Sequence, residues 1–122
     1  MGAPWKQLIK KGDLDGLRRW LDAGGALEAD FDTMPLGYAA NLGHLEIVKF
    51  LLARGEDPAR SSAFLAAVIG GRYEVARLLL PLAVDADDLR EAVGALQVYG
   101  DQDELLALVK KRMQELKKRK SH

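Results

Sequence analysis

The stretch PLGYAANLGHLEIVKFLLARGEDP, residues 35–58, contains two short helical patterns. Gly43 separates the two patterns and Gly55 follows the second, and glycine commonly occupies the position just after a helix. Each pattern spans about eight residues, whereas an isolated helix in water needs roughly 12–15 residues even when it is made of good helix formers. Contacts with the rest of the chain must therefore stabilise these helices.

The same arrangement recurs along the chain. Gly12, Gly43, Gly71 and Gly100 each follow one short helical run and precede another, at spacings of 31, 28 and 29 residues. Alignment on these glycines brings large apolar residues into one column, namely Trp5, Leu36, Phe64 and Val93. A second column, after the turn, contains Leu17, Val48 and Ala76. A unit with one apolar face cannot bury that face alone, so we predict an all-α solenoid of stacked helix-turn-helix units.

The central stretch resembles the ankyrin repeat, whose period is about 33 residues and whose start is T-P-L-H-x-A. The matching residues are Pro35, Leu36, Ala39, Ala40, Gly43, His44, Leu45, Glu46, Ile47, Val48, Leu51, Leu52, Gly55 and Asp57. The resemblance implies one ankyrin-repeat domain over residues 1–122. Its units are expected at about residues 3–25, 34–58, 61–83 and 86–118, with the outer two as caps.

The sequence departs from the family pattern at two kinds of position. Met34 and Gly37 replace the threonine and histidine that hydrogen-bond to each other in the family, and a methionine cannot cap a helix. The connections after Gly55 and after Leu80 are too short for the full β-hairpin finger of an ankyrin repeat. We therefore expect shortened fingers, with residues 25–33 as the one segment long enough to form one.

Two aspartates occupy positions where helices should begin. Asp13 and Asp101 each follow a turn glycine, and a carboxylate there can accept a hydrogen bond from the free backbone N–H groups of a helix start. Asp101 with Glu104 also fits a capping box. The final helix is expected at roughly residues 102–118.

Composition excludes several classes of protein. The chain has no cysteine, which excludes disulfides and thiolate metal sites. No uncharged stretch approaches the roughly 18 apolar residues that a membrane span needs. The first residues lack the apolar segment of a signal peptide. We therefore expect a cytoplasmic protein.

Charge is unevenly distributed along the chain. Residues 110–122 carry seven basic residues against Glu115, a net charge of +6, whereas residues 1–109 carry eleven basic and seventeen acidic residues, a net charge of −6. The basic tail is an alternative binding site, for nucleic acid or an anionic membrane surface. No aromatic residue interleaves with residues 110–120 to stack on bases, which disfavours nucleic acid as the partner.

The residues that carry catalysis are scarce. His44 and His122 are the two histidines, and a catalytic triad would require His44 beside Ser61 or Ser62. The cluster of Asp85, Asp87 and Asp88 lacks the spacing and the glycine of a calcium-binding loop, and fits a helix start better. No glycine-rich phosphate-binding motif occurs. We expect a protein that is not an enzyme and has no cofactor or metal.

The resemblance also implies where a partner would bind. Ankyrin repeats bind proteins through the concave side, formed by the first helices of the units and the fingers. Carried over to this sequence, the two residues before each turn glycine are Lys10, Lys11, Asn41, Leu42, Ile69, Gly70, Val98 and Tyr99. The one plausible finger contributes Asp30, Phe31 and Thr33. Five of these residues are apolar (Phe31, Leu42, Ile69, Val98 and Tyr99), which favours an interaction surface, although the shortened fingers could also let them pack within the domain.

The function expected from the resemblance is non-catalytic protein binding by a preformed face, with a chain that is monomeric when free. A composition rich in Ala, Leu, Gly and Arg without cysteine is typical of a bacterial protein. A small stand-alone ankyrin protein in bacteria suits an immunity protein or an inhibitor that covers the active site of a toxin or enzyme. The acidic body would suit a basic toxin, for instance one that acts on nucleic acid.

Overall fold

The computed structural model describes residues 4–28 and 33–120. Within these ranges the chain forms eight α-helices and one short 3₁₀ helix. The helices are α1 (Pro4–Lys10), α2 (Leu14–Asp22), α3 (Pro35–Leu42), α4 (Leu45–Ala53), α5 (Ala63–Ile69), α6 (Tyr73–Leu79), α7 (Ala86–Tyr99) and α8 (Asp103–Lys120), with the 3₁₀ helix at Leu80–Leu82 between α6 and α7.

The helices form two layers. Each odd-numbered helix packs against the even-numbered helix that follows it, and α1, α3, α5 and α7 pack side by side as an inner layer. The outer helices contact one another much less, while α8 packs on α7 and on the 3₁₀ helix. This arrangement confirms the predicted solenoid of helix-turn-helix units, and it puts most contacts between units in the inner layer.

The turn glycines set the geometry of each unit. Gly12, Gly43, Gly71 and Gly100 all have positive φ, between 71° and 81°, a conformation that costs a residue with a side chain more than it costs glycine. In the first three turns the residue after the glycine donates its N–H to the carbonyl five residues earlier. This gives a hydrogen-bond partner to a carbonyl in the last turn of the helix. These hydrogen bonds are Asp13 to Leu8 (2.9 Å), His44 to Ala39 (3.1 Å) and Arg72 to Ala67 (2.8 Å).

The fourth turn is built differently. Gly100 donates to the carbonyl of Leu96, and α8 begins at Asp103, three residues after the glycine instead of two. Asp13 caps α2 as predicted, because its carboxylate accepts from the N–H of Gly16 at 2.8 Å. The predicted cap at Asp101 is wrong by one position: Gln102 precedes α8, and its carbonyl accepts from Leu106 at 2.8 Å. The looser turn moves the start of the last helix by one residue.

The repeat columns form the core. Leu17, Val48 and Ala76 are completely inaccessible to solvent, and so is Trp5. The indole N–H of Trp5 donates to the carbonyl of Glu28 at 2.7 Å, which satisfies its one polar group. Trp5 also makes an edge-to-face contact with Tyr38 of the next unit, with ring centroids 6.2 Å apart. The residues of the apolar columns identified in the sequence are therefore buried where the helices and units pack together.

Small residues let neighbouring units approach closely. A Cβ atom at Gly37 would lie 2.9 Å from the carbonyl oxygen of Ser61, and one at Gly70 would overlap the carbonyl oxygen of Asn41. The family's histidine at position 37 therefore could not fit between α3 and the next unit of this chain. The inner helices pack at a distance that leaves no room for a Cβ atom at these two points.

A ladder of side chains also joins successive turns. The imidazole of His44 covers Gly12, because a Cβ at Gly12 would lie 3.0 Å from its Cε1 atom. The side chain of Arg72 covers Gly43 in the same way, at 2.6 Å from its Cδ atom. Gly71 has no atom within 4 Å of such a Cβ, so the ladder stops before the last unit. His44 thus packs on the preceding turn.

Two glycine-to-alanine substitutions test this packing. We expect Gly70→Ala to lower the free energy of unfolding by roughly 1–3 kcal/mol, because the new methyl group overlaps the backbone of Asn41. Gly94 lies inside α7 with open space around it, so Gly94→Ala should raise stability by about 0.5–1 kcal/mol. Urea denaturation measures both values, and equal effects of the two substitutions would contradict the close-packing argument.

Candidate functional site

The predicted contact residues lie where the inner helices end. We call the residues directly before the turn glycines the inner-helix surface: Lys10, Lys11, Asn41, Leu42, Ile69, Gly70, Val98 and Tyr99. Thr33 lies just before α3 and is half-buried. The predicted finger residues Asp30 and Phe31 lie outside the described residues.

Three apolar residues of the inner-helix surface are exposed. Ile69 is 56% exposed at the end of α5, and Val98 and Tyr99 are 81% and 58% exposed at the end of α7. Because α5 and α7 are packed neighbours, the three exposed side chains lie at the ends of adjacent inner helices. We call Ile69, Val98 and Tyr99 the apolar patch.

Asn41 and Gly70 hold α3 and α5 together. The Asn41 side chain donates from Nδ2 to the carbonyl of Ala66 at 3.1 Å. The backbone carbonyl of Asn41 accepts a hydrogen bond from Nε of Arg72 at 3.3 Å. Gly70 lies against that carbonyl, as described above. Leu42 is half-buried and packs against the core. These three residues therefore have structural contacts already, and a role in binding a partner stays a prediction for each of them.

A shallow groove of about 350 Å³ runs between α3 and α5. Three predicted site residues line it, Thr33, Asn41 and Ile69. Five further lining residues were not predicted from the sequence, namely Met34, Gly37, Ser61, Tyr38 and Ala66. The last two, Tyr38 and Ala66, lie one helical turn before Asn41 and Ile69. The helical period would have identified both, because residues three apart lie on the same face of a helix.

The charges near the surface are arranged by layer. Lys10 and Lys11 are exposed at the end of α1, so the first unit contributes positive charge. Asp15, Glu46 and Glu74 lie in the first turns of α2, α4 and α6 and place negative charge at the starts of the outer helices. A partner that covers the inner-helix surface would therefore meet a basic end, an apolar end and an acidic border.

Metal ligands, shifted pKa values and apolar helices are the other features of the described residues that bear on function. The described residues contain no group of three or more His, Cys, Asp and Glu side chains that could hold a metal ion. Burial raises the pKa of Glu56, against the opposing effect of Arg60, but this carboxyl lies in the loop after α4 and outside the inner-helix surface. Among the described helices, none combines the length and the apolar character that crossing a membrane requires.

The basic tail continues α8 rather than forming a separate segment. Arg112 is part of the domain, because its side chain is 11% exposed and donates from Nε to the carbonyl of Ala83 at 3.0 Å. Its guanidinium also lies 3.4 Å from the carboxylate of Glu115. Arg112 is thus engaged within the domain, and binding of nucleic acid or an anionic membrane by the tail stays a prediction.

Comparison with protein families settles the membership of the chain. The family model described as ankyrin repeats, in three copies, matches residues 6–89. The chain belongs to the ankyrin repeat family. Ankyrin repeats are generally protein–protein interaction modules, so the family supports a protein partner. No curated protein matches the chain. The match ends early in α7, so the assignment of α7 and α8 as a fourth, capping unit stays a prediction.

Removal of the Asn41 side chain tests its structural role. We expect Asn41→Ala to lower the free energy of unfolding by about 1 kcal/mol, because the hydrogen bond to the Ala66 carbonyl is lost. Gln97→Ala is a matched control, since Gln97 is an exposed polar residue inside α7. Thermal and urea unfolding would measure the difference, and equal stability of the two variants would show that this hydrogen bond contributes nothing net.

Proposed function

We propose that this protein binds a partner protein through the inner-helix surface and does not catalyse a reaction. The observation that carries the proposal is the joint exposure of Ile69, Val98 and Tyr99 at the ends of neighbouring helices. Contiguous exposed apolar side chains on a folded domain typically mark an interaction site. Tyrosine is also enriched among the residues that dominate binding energy in interfaces.

The contacts beneath the surface support a preformed binding face. Asn41, Arg72 and Gly70 fix α3 against α5, so the helix ends need little rearrangement when a partner docks. A surface that is ordered before binding loses less conformational entropy in the complex. In this proposal the apolar patch packs on the partner, and the groove beside Tyr38 and Ile69 accepts one partner side chain.

The sharper form of the proposal is an immunity protein or inhibitor. A face of this kind could cover the active site of a toxin or another enzyme without any chemistry of its own. The net charge of −6 on residues 1–109 supports a basic partner, such as a toxin that acts on nucleic acid, because long-range attraction speeds encounter. Lys10 and Lys11 would then contact acidic groups at the edge of that partner.

Affinity capture from the organism that encodes the protein tests the proposal. The wild type, the variant Ile69→Glu/Tyr99→Glu and the control Leu82→Glu/Leu108→Glu are compared, with captured proteins identified by mass spectrometry. The control changes charge equally, and its two leucines are 44% and 39% exposed away from the inner-helix surface. We expect the wild type and the control to capture one protein in stoichiometric amount, and the surface variant to lose it.

The captured protein is then purified and its affinity measured by calorimetry. We expect the surface variant to bind at least about tenfold more weakly, since two charges would be placed in an apolar contact. Equal affinity of all three proteins would show that binding uses a different surface. If the partner binds tightly but its own activity is unchanged, the binding proposal stands and the inhibitor version fails.

A further inference from the structure

A second groove lies at the end of the stack, away from the inner-helix surface. It runs between the start of α7 and the last turns of α8 and has a volume of about 680 Å³. We call it the terminal groove. Its lining residues are Val84, Ala86, Leu89, Arg90, Lys110, Met113, Gln114, Leu116, Lys117 and Arg119.

The terminal groove exists because α8 is long. It has 18 residues, whereas the outer helices α2 and α4 have nine each before the chain turns back toward the next unit. Leu105 and Val109 are fully buried, and Met113 and Leu116 continue the same apolar stripe, half-buried against the core. In the earlier units a connecting segment follows the outer helix at this point, and here the helix runs on.

The wall of the groove is fixed to the domain. Arg112 lies one turn before Leu116 on α8 and donates to the carbonyl of Ala83, the residue next to Val84. This hydrogen bond joins α8 to the segment that forms the opposite wall. Val84 itself is 53% exposed, although Ala83 beside it is buried. The groove therefore combines a fixed frame with a partly exposed apolar lining.

The charge of the groove has one sign. Arg90, Lys110, Lys117 and Arg119 line it together with one neutral polar residue, Gln114, and no acidic side chain is among its lining residues. Arg90 pairs with Asp87 at 2.6 Å, so its charge is partly compensated. Lys110 and Arg119 add positive charge beside the apolar residues of the groove, in a chain whose total formal charge is zero. A complementary occupant has apolar side chains on one face and negative charge beside them.

We propose that the terminal groove binds an acidic amphipathic helix of a partner protein. From Lys110 to Arg119 the helix α8 rises about 14 Å, which matches roughly two and a half turns of a bound helix with apolar anchors at i, i+3 or i+4, and i+7. The apolar anchors pack on Val84, Met113 and Leu116, above the buried Leu89, and flanking carboxylates face Lys110 and Arg119. This site is separate from the inner-helix surface and adds a second partner contact to the proposed function.

The probe is a fluorescently labelled peptide of about 14 residues, with leucines at the i, i+3 and i+7 positions and glutamates on both sides of that stripe. A peptide with the same leucines and lysines in place of the glutamates is the charge control, and a scrambled acidic peptide is the pattern control. Fluorescence anisotropy measures binding to the full chain at low and at physiological salt. We expect saturable binding of the acidic amphipathic peptide and much weaker binding of both controls.

Paired variants locate the site. Lys110→Glu and Lys111→Glu change neighbouring residues of the same helix by the same charge, but only Lys110 lines the groove. Val84→Glu and Leu108→Glu place a charge at two exposed apolar residues, and only Val84 lines the groove. We expect Lys110→Glu and Val84→Glu to weaken peptide binding by about tenfold, with Lys111→Glu and Leu108→Glu close to the wild type. Thermal unfolding of each variant verifies that the fold is intact.

Three results would overturn the proposal. The first is the absence of saturable peptide binding. The second is an equal effect of Lys110→Glu and Lys111→Glu, which would show diffuse attraction without a defined site. The third is binding of duplex DNA or phosphatidylglycerol vesicles in place of the peptide, which would make the tail a binder of polyanions. None of these results bears on Ile69 and Tyr99, so the proposed function is tested independently.

Discussion

The close approach of the inner helices is the constraint on which the rest of the structure depends. Gly37 and Gly70 have no side chain, so the backbone of each lies close to a carbonyl group of the neighbouring unit. At this separation the Asn41 side chain can donate a hydrogen bond to the Ala66 carbonyl. The outer helices have no comparable contact with one another. Short helices that would be marginal alone are thus held by neighbours on their inner side, as stacked repeats require.

The candidate binding surface is a consequence of this packing. The apolar columns of each unit are used to join units, so side chains at the helix ends fall outside the core. Within the stack, Asn41 hydrogen-bonds to the next unit and Leu42 packs against the core. At the equivalent positions of α7, where no inner helix follows in the described chain, Val98 and Tyr99 are exposed. Ile69 is exposed although α7 follows α5, so position in the stack and local packing together set which of these residues can contact a partner.

The last two helices depart from the regular repeat in a related way. The ladder of side chains that covers Gly12 and Gly43 is absent at Gly71, and the fourth turn lacks the hydrogen bond that closes the first three. The family match also ends near the start of α7. At 18 residues α8 is twice as long as α2 and α4, and it extends along the end of the described stack with the terminal groove beside it.

The sequence by itself determined the repeat, the two-helix unit and the core columns. Turn glycines and apolar residues recur at similar offsets. This pattern predicts a stack of units, because stacking buries the apolar face of each unit against its neighbours. The cap at Asp13 followed from local chemistry alone. These features are local or periodic, so they can be recognised without knowing which units touch.

Only the tertiary structure decided which predicted contact residues are available. Leu42 and Tyr99 occupy the same place relative to their turns, yet one packs on the core and the other is exposed. The engagement of Asn41 and the use of Arg112 to fix α8 depend on hydrogen bonds between residues 25 to 31 positions apart in the chain. The terminal groove likewise brings residues near the start of α7 together with residues of α8 that are distant from them in the sequence. Burial is a property of neighbours in space, and a single repeat unit does not specify whether another unit covers it.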